Sequence, residues 1–188
     1  MVEGVMSGTR DRFFVALPLT PEVRLAVEEW RSRLDLPGRL VALEKLHVTL
    51  RFVGLVGRVG QERIVAALDM AALGGPFGFR VGGLGGFPRL RKATVAWAAL
   101  EGDGRRISRL AEVVDDAVSS AGFGHEERPF RAHLTLARIR PPRDIRESAS
   151  GGPARIPVRA TEVVFYRSRT EGSSTEYHRL ESFPLRDG

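Results

Sequence analysis

Lys45-Leu46-His47-Val48-Thr49-Leu50-Arg51-Phe52 and Arg131-Ala132-His133-Leu134-Thr135-Leu136 share one pattern, His-apolar-Thr-Leu, 86 residues apart. The chain has 188 residues, four histidines and eight threonines, so a doubled His-x-Thr-Leu is not a product of composition. In the first copy Lys45, His47, Thr49 and Arg51 alternate with Leu46, Val48, Leu50 and Phe52. In the second, Arg131, His133 and Thr135 alternate with Ala132, Leu134 and Leu136. Period two means a strand with one polar and one apolar face. Each strand is expected to show a cation, an imidazole and a hydroxyl in a row. Two such strands side by side would aim two imidazoles into one groove.

The flanks extend this pattern into a repeat. Phe13 to Leu17 reads as a buried strand. Thr20-Pro21-Glu22 then reads as an N-cap with proline at the first helical position. Val23, Leu25, Ala26, Trp30 and Leu34 give that helix its stripe, and Pro37-Gly38 ends it before the first motif strand. A second helix spans 60–73, with Ile64, Val65, Leu68 and Ala72 on one side. The Gly-rich stretch 77–87 reads as a bent strand and loop rather than a phosphate cradle, because no G-x-G-x-x-G stands between a strand and a helix. Ala93 to Leu100 is the next strand. A helix over 106–120 follows, with Ile107, Leu110, Ala111, Val114 and Val118 inward and Gly122 as its cap. The second motif strand then runs from about 131 to 139. Pro141 to Pro157 is polar and rich in Pro, Gly and Ser, and is expected to be mobile. Residues 156–168 give one or two strands, and 177–185 a last one after a turn at 171–174.

Strand, helix and motif strand thus occur twice, over about 12–54 and 93–140. The expected fold class is α+β: residues 1–188 form a single domain of two lobes, each a mainly antiparallel sheet backed by helices, with a central groove.

Composition narrows the chemistry. The absence of cysteine excludes disulfides, thiolate nucleophiles and Cys-based metal sites. No run of 18 apolar residues suggests a membrane span, and residues 1–12 lack the apolar core of a signal peptide, so the cytoplasm is the expected location. Net charge is +6, from 29 Lys and Arg against 23 Asp and Glu, which is compatible with a polyanionic partner such as RNA.

Two imidazoles facing one groove suit concerted acid–base catalysis, one neutral and accepting, one protonated and donating, because histidine titrates near physiological pH. The hydroxyls of Thr49 and Thr135 can donate to phosphate oxygens, and Lys45, Arg51 and Arg131 can add charge beside an anion. Neither motif brings a carboxylate or a third histidine, so no metal or other cofactor is expected. His125 and His178 read as surface residues, and Phe87 and Trp97 as core rather than stacking platforms.

On these residues the chain resembles the two-histidine phosphoesterase superfamily, and within it the RNA 2′,3′-cyclic phosphodiesterases, also known as LigT-like 2′-5′ RNA ligases. The resemblance runs through Arg12-Phe13-Phe14-Val15-Ala16-Leu17, Leu46 to Gly54, Gly83-Leu84-Gly85-Gly86-Phe87-Pro88, Glu127 to Arg138 and Tyr166-Arg167-Ser168. It departs at Ala132, where proline would be expected. It implies hydrolysis of RNA 2′,3′-cyclic phosphate ends to 2′-phosphomonoesters, with His47 as proton donor and His133 as proton acceptor. It also implies reversible ATP-independent 2′-5′ ligation, with a 5′-hydroxyl in place of water, an RNA substrate such as a tRNA fragment, and a monomeric enzyme. Two other classes stand beside it: a phosphodiesterase for another cyclic nucleotide or oligonucleotide, and a non-catalytic RNA-binding module.

Overall fold

The computed structural model describes residues 11–171 and 174–187. Two antiparallel sheets carry the fold. The first has the order β3-β1-β8-β9 and the second β2-β6-β5-β4-β7. The strands are β1 (Arg12–Pro18), β2 (Arg39–Leu40), β3 (His47–Gly54), β4 (Phe77–Phe87), β5 (Ala93–Gly102), β6 (His133–Arg143), β7 (Ile156–Ala160), β8 (Glu162–Glu171) and β9 (Ser174–Pro184). The helices are α1 (Pro21–Ser32), α2 (Arg58–Asp69), α3 (Gly104–Val118) and the short α4 (Arg146–Ala149). This is the expected α+β architecture.

The two motif strands hold equivalent places. β3 pairs with β1, the strand before it in its repeat, and β6 pairs with β5 in the same way. The helices between them cross over. α1 connects β1 to the first motif strand yet packs against β7 of the second sheet, while α3 connects β5 to β6 and packs against β3 of the first. One apolar core therefore serves both sheets: Phe13, Val15 and Phe165 from the first share it with Phe79, Ala98 and Leu134 from the second.

Local chemistry explains the helices. The Thr20 hydroxyl accepts from Val23 N at 3.4 Å, and Pro21 supplies a fixed φ where no N–H is needed. Ile107, Leu110, Ala111, Val114 and Val118 are all buried, as their spacing requires. α1 departs from its expected stripe, because Leu25 is exposed and Val27 takes the buried place. α2 begins earlier and ends earlier than its periodicity suggests, leaving Ala72 outside it.

The stretch 77–87 is one continuous strand, bent by an extra residue between Val81 and Leu84. At Gly85 a Cβ would come within 2.3 Å of the Trp97 ring, so only glycine lets that indole lie flat on the strand.

The segment 141–157 is not a loose loop. β6 runs on to Arg143, and Ile145 is buried, its N–H donating to Leu90 O at 2.9 Å. Trp30 Nε1 donates to Gly152 O at 3.2 Å, and Ala154 N to Gly82 O at 3.2 Å. Polar composition alone pointed to mobility, but these backbone groups find partners on α1 and β4. Residues 156–168 form two strands, β7 and the start of β8. The turn expected over 171–174 includes residues 172–173, which lie outside the described residues, while Glu171 pairs with Ser174 across it.

Candidate active site

Each catalytic candidate stands at the first residue of its motif strand, and both are held alike. His47 Nδ1 lies 2.7 Å from Lys45 O, and His133 Nδ1 lies 2.6 Å from Arg131 O. A carbonyl only accepts, so each Nδ1 carries the hydrogen and each Nε2 is the nitrogen left for chemistry. The carbonyls two residues upstream thus fix both tautomers. Thr49 Oγ1 lies 3.0 Å from His47 Nε2. On the second strand, Thr135 and His133 stand opposite Trp97 and Ala99, alternate residues of β5, and so share one face.

Both motif strands break alternation at the same offset. Val15 pairs with Arg51 and Ala16 with Thr49, so Leu50 is an extra residue; likewise Ala96 pairs with Ala137 and Trp97 with Thr135, so Leu136 is extra. A bulge reverses the parity of everything beyond it. This corrects the expectation for Arg51. Its side chain is buried on the α3 side, with Nε 2.6 Å from Asp115 Oδ1, Nη1 donating to Glu126 and Nη2 to Gly124 O at 2.8 Å. It ties the first motif strand to α3 and to the loop before the second motif, and does not reach the groove. Lys45 lies in a 3-10 turn (Leu43–Lys45) ahead of β3, and Arg131 lies exposed ahead of β6, so the link from each to its imidazole is a carbonyl.

The same bulge turns two residues toward the site that strict alternation would turn away: Phe52 on β3 and its counterpart Arg138 on β6. Arg138 and Arg24 of α1 both act on His47 electrostatically, and Arg138 also acts on Tyr177 of β9. Sequence reasoning passed over both arginines. Arg138 lay on the wrong parity, and Arg24 sits in a helix whose only legible signal was its apolar stripe.

The imidazoles rest on aromatic rings. Phe14 lies 4.9 Å from His47 and stacks on Tyr166 at 5.0 Å, and Tyr177 meets His47 edge-on at 5.3 Å. Across the groove Phe87 meets His133 edge-on at 5.1 Å and stacks on Trp97 at 5.1 Å. Phe87 and Trp97 are half-buried rather than full core. His125 pairs with Asp115 at 2.8 Å and His178 lies near Glu176, so neither belongs to the site.

Burial in this aromatic setting holds the His47 imidazole down at about 4, with His133, Arg24 and Arg138 adding charge repulsion and the Lys45 carbonyl opposing them. His133 is therefore close enough for its charge to be felt at His47. Among the described residues no three His, Asp or Glu side chains converge as metal ligands, and no helix is long and apolar enough to cross a membrane.

Comparison with known proteins identifies the family. The family model described as LigT like phosphoesterase matches residues 17–97 and 100–175. A protein of Geobacillus stearothermophilus named RNA 2′,3′-cyclic phosphodiesterase is 30% identical over 94% of this chain, which spans 58% of that relative's length. The Escherichia coli protein of the same name is 28% identical, with 93% of this chain and 96% of the relative covered. A solved structure from Thermus thermophilus superposes with a TM-score of 0.76 at 29% identity, covering 94% of this chain and 98% of that one. Escherichia coli LigT complexed with 3′-AMP gives 0.75 at 26% identity, covering 93% and 98%. With the doubled His-x-Thr strands, the two-sheet fold and a family match across both halves, the chain belongs to the LigT-like phosphoesterases.

Proposed function

We propose that this protein hydrolyses RNA 2′,3′-cyclic phosphate ends to 2′-phosphomonoesters without a metal, on a single two-lobed domain with repeats at about 12–54 and 93–140, acting as a monomer in the cytoplasm. The observation that carries the reading is the paired clamp: two imidazoles, each fixed by Nδ1 to the carbonyl two residues upstream, each with Nε2 left for chemistry, within electrostatic reach of one another. The names of the relatives supply the substrate class.

The reaction is an in-line displacement. His133 Nε2 takes a proton from water as the oxygen attacks phosphorus. The bond from phosphorus to O3′ breaks, and His47 Nε2–H gives its proton to O3′, which leaves as a hydroxyl. Thr49 and Thr135 donate hydrogen bonds to the non-bridging oxygens, and Arg138, Arg24, Lys45 and Arg131 balance the phosphate charge. With a 5′-hydroxyl in place of water, the same displacement joins a 2′-5′ linkage without ATP, and its reverse breaks that linkage.

The depressed His47 adds a condition. A donor must be protonated, and in the free protein His47 is neutral at pH 7. The phosphodiester anion supplies the missing charge: placed between His47 and the arginines, it offsets the repulsion that opposes protonation. Substrate binding is therefore coupled to proton uptake.

The test is to incubate purified protein in excess chelator with an RNA ending in a 2′,3′-cyclic phosphate. A 2′-phosphomonoester is the expected product. A 3′-phosphomonoester, or turnover only after a divalent ion is restored, overturns the reading.

A further inference from the structure

β6 carries more than its histidine. Over residues 133–140 its exposed or half-buried positions are His133, Thr135, Arg138 and Arg140, and between them Leu134, Leu136, Ala137 and Ile139 are buried. The bulge at Leu136 keeps this row on one face, so a strand that begins with the acid–base machinery goes on as a line of guanidiniums. Arg138 and Arg140 are two residues apart, about 6.5 Å along the strand, a step close to that between successive phosphates of an RNA chain. The strand then reaches Arg143, which pairs with Ala93, the residue after Lys92. The first motif strand has Phe52 and Gly54 at the places of Arg138 and Arg140, so the cationic row belongs to the second lobe alone.

These cations are not taken up by the protein itself. Arg31, Arg51, Arg58, Arg109 and Arg179 each hold a carboxylate, whereas among the described residues Arg138, Arg140, Arg143 and Lys92 form no ion pair. Asp144, next to Arg143, is occupied by Arg146, with Nη2 2.7 Å from Oδ2, and so does not neutralise the row. Like charges side by side on one sheet face repel, and an anion laid along them offsets that repulsion. The row also starts at the right place, because the charge of Arg138 is felt at His47. An RNA whose 3′ end is a 2′,3′-cyclic phosphate has chain on one side only, upstream, so a single path away from the reacting phosphorus has to be supplied.

We propose that Arg140, Arg143 and Lys92 form the track for the RNA strand upstream of the cyclic phosphate, holding phosphates of the nucleotides that precede the terminal one. The proposal rests on the cyclic phosphodiesterase reading above. Contacts to phosphate position a strand and carry no sequence information, so the track suits RNA ends of any sequence. It favours a strand over a single nucleotide, and its contribution weakens as salt rises.

The test compares kcat/KM for adenosine 2′,3′-cyclic phosphate, which has no upstream phosphate, with that for a short RNA ending in a 2′,3′-cyclic phosphate. The proteins are the wild type, Arg140→Ala/Arg143→Ala, and Arg80→Ala/Arg159→Ala, an exposed pair on β4 and β7. The wild type is expected to prefer the RNA. Arg140→Ala/Arg143→Ala should lose about 5- to 30-fold on the RNA, through KM, and keep its rate on the nucleotide, which also reports that it is folded. The fall of log kcat/KM with log salt on the RNA should become shallower by about 0.7 for each contact removed. Equal losses on both substrates, or unchanged RNA turnover and salt slope, overturn the proposal. An equal loss on the RNA from Arg80→Ala/Arg159→Ala overturns it too, since attraction to net charge alone would then explain the preference. If the wild type turns over neither substrate, the cyclic phosphodiesterase reading fails. Equilibrium binding of the same RNA, fluorescently labelled, to the three proteins then decides the track by the same differences.

Discussion

Arg51 Nε lies 2.6 Å from Asp115 Oδ1, joining the strand of the first histidine to the helix that leads toward the second. The same guanidinium reaches Glu126 and the carbonyls of Phe52 and Gly124. Arg31 does a parallel job on the other strand, where its Nη1 donates to the carbonyl of Leu136, the extra residue of that bulge, at 3.1 Å. Each bulge thus has a buried arginine at its side, and the bulges set what faces the groove.

Arg51→Ala should therefore act on stability first. It leaves Asp115 and Glu126 without the cation they enclose, and breaking a buried pair this way costs about 3 kcal/mol or more, less where the acids are partly hydrated as here. Urea unfolding is expected to show a loss of about 2–3 kcal/mol. A variant of unchanged stability whose KM rises would return Arg51 to the substrate.

His47 makes stability depend on pH. Its folded value, about 4, lies below the ordinary 6.5, so between those values the unfolded chain binds more protons than the folded one. The stability that goes with a neutral buried His47 is complete above about pH 6.5 and is lost as pH falls toward 4. The loss is on the order of 1–3 kcal/mol, since the ring is not fully sealed from water. Unfolding free energy of the wild type should fall more steeply from pH 6.5 to 4 than that of His47→Asn. Parallel slopes would contradict the depressed value.

Arg138 is one source of that depression. Arg138→Ala should raise the His47 pKa, read from its ring proton by NMR, and inorganic phosphate bound to the wild type should raise it too. In rate profiles the limb belonging to the proton donor should lie at higher pH in kcat than in kcat/KM, because the bound anion favours the charged imidazole. A His47 pKa that stays put in Arg138→Ala would separate the two residues.

Much of this was legible in the chain and some was not. The doubled His-x-Thr, the strand–helix–strand repeat and the α3 stripe were readable because period two and period 3.6 are local properties. The bulges were not, because an extra residue in one strand is defined only by its partner, and Val15 and Ala16 lie far from Arg51 and Thr49 in sequence. That one unreadable feature moved Arg51 out of the site and brought Arg138 and Phe52 toward it. The anchoring of 141–157 was hidden for the same reason, since Trp30 and Gly82, which hold it, lie far upstream.

The central claim is that His47 and His133 move the protons. The direct measurement is turnover of a 2′,3′-cyclic-phosphate RNA by His47→Ala, His133→Ala and the double variant, beside an analogue with a nitrophenolate leaving group. Each single variant should lose roughly 10²–10⁴-fold on RNA, and the double far less than the product of the two, because the residues act as a unit. The nitrophenolate departs without a proton, so it should rescue His47→Ala and leave His133→Ala slow. Near-normal RNA turnover in either single variant would contradict the account, and rescue of His133→Ala alone would reverse the two roles.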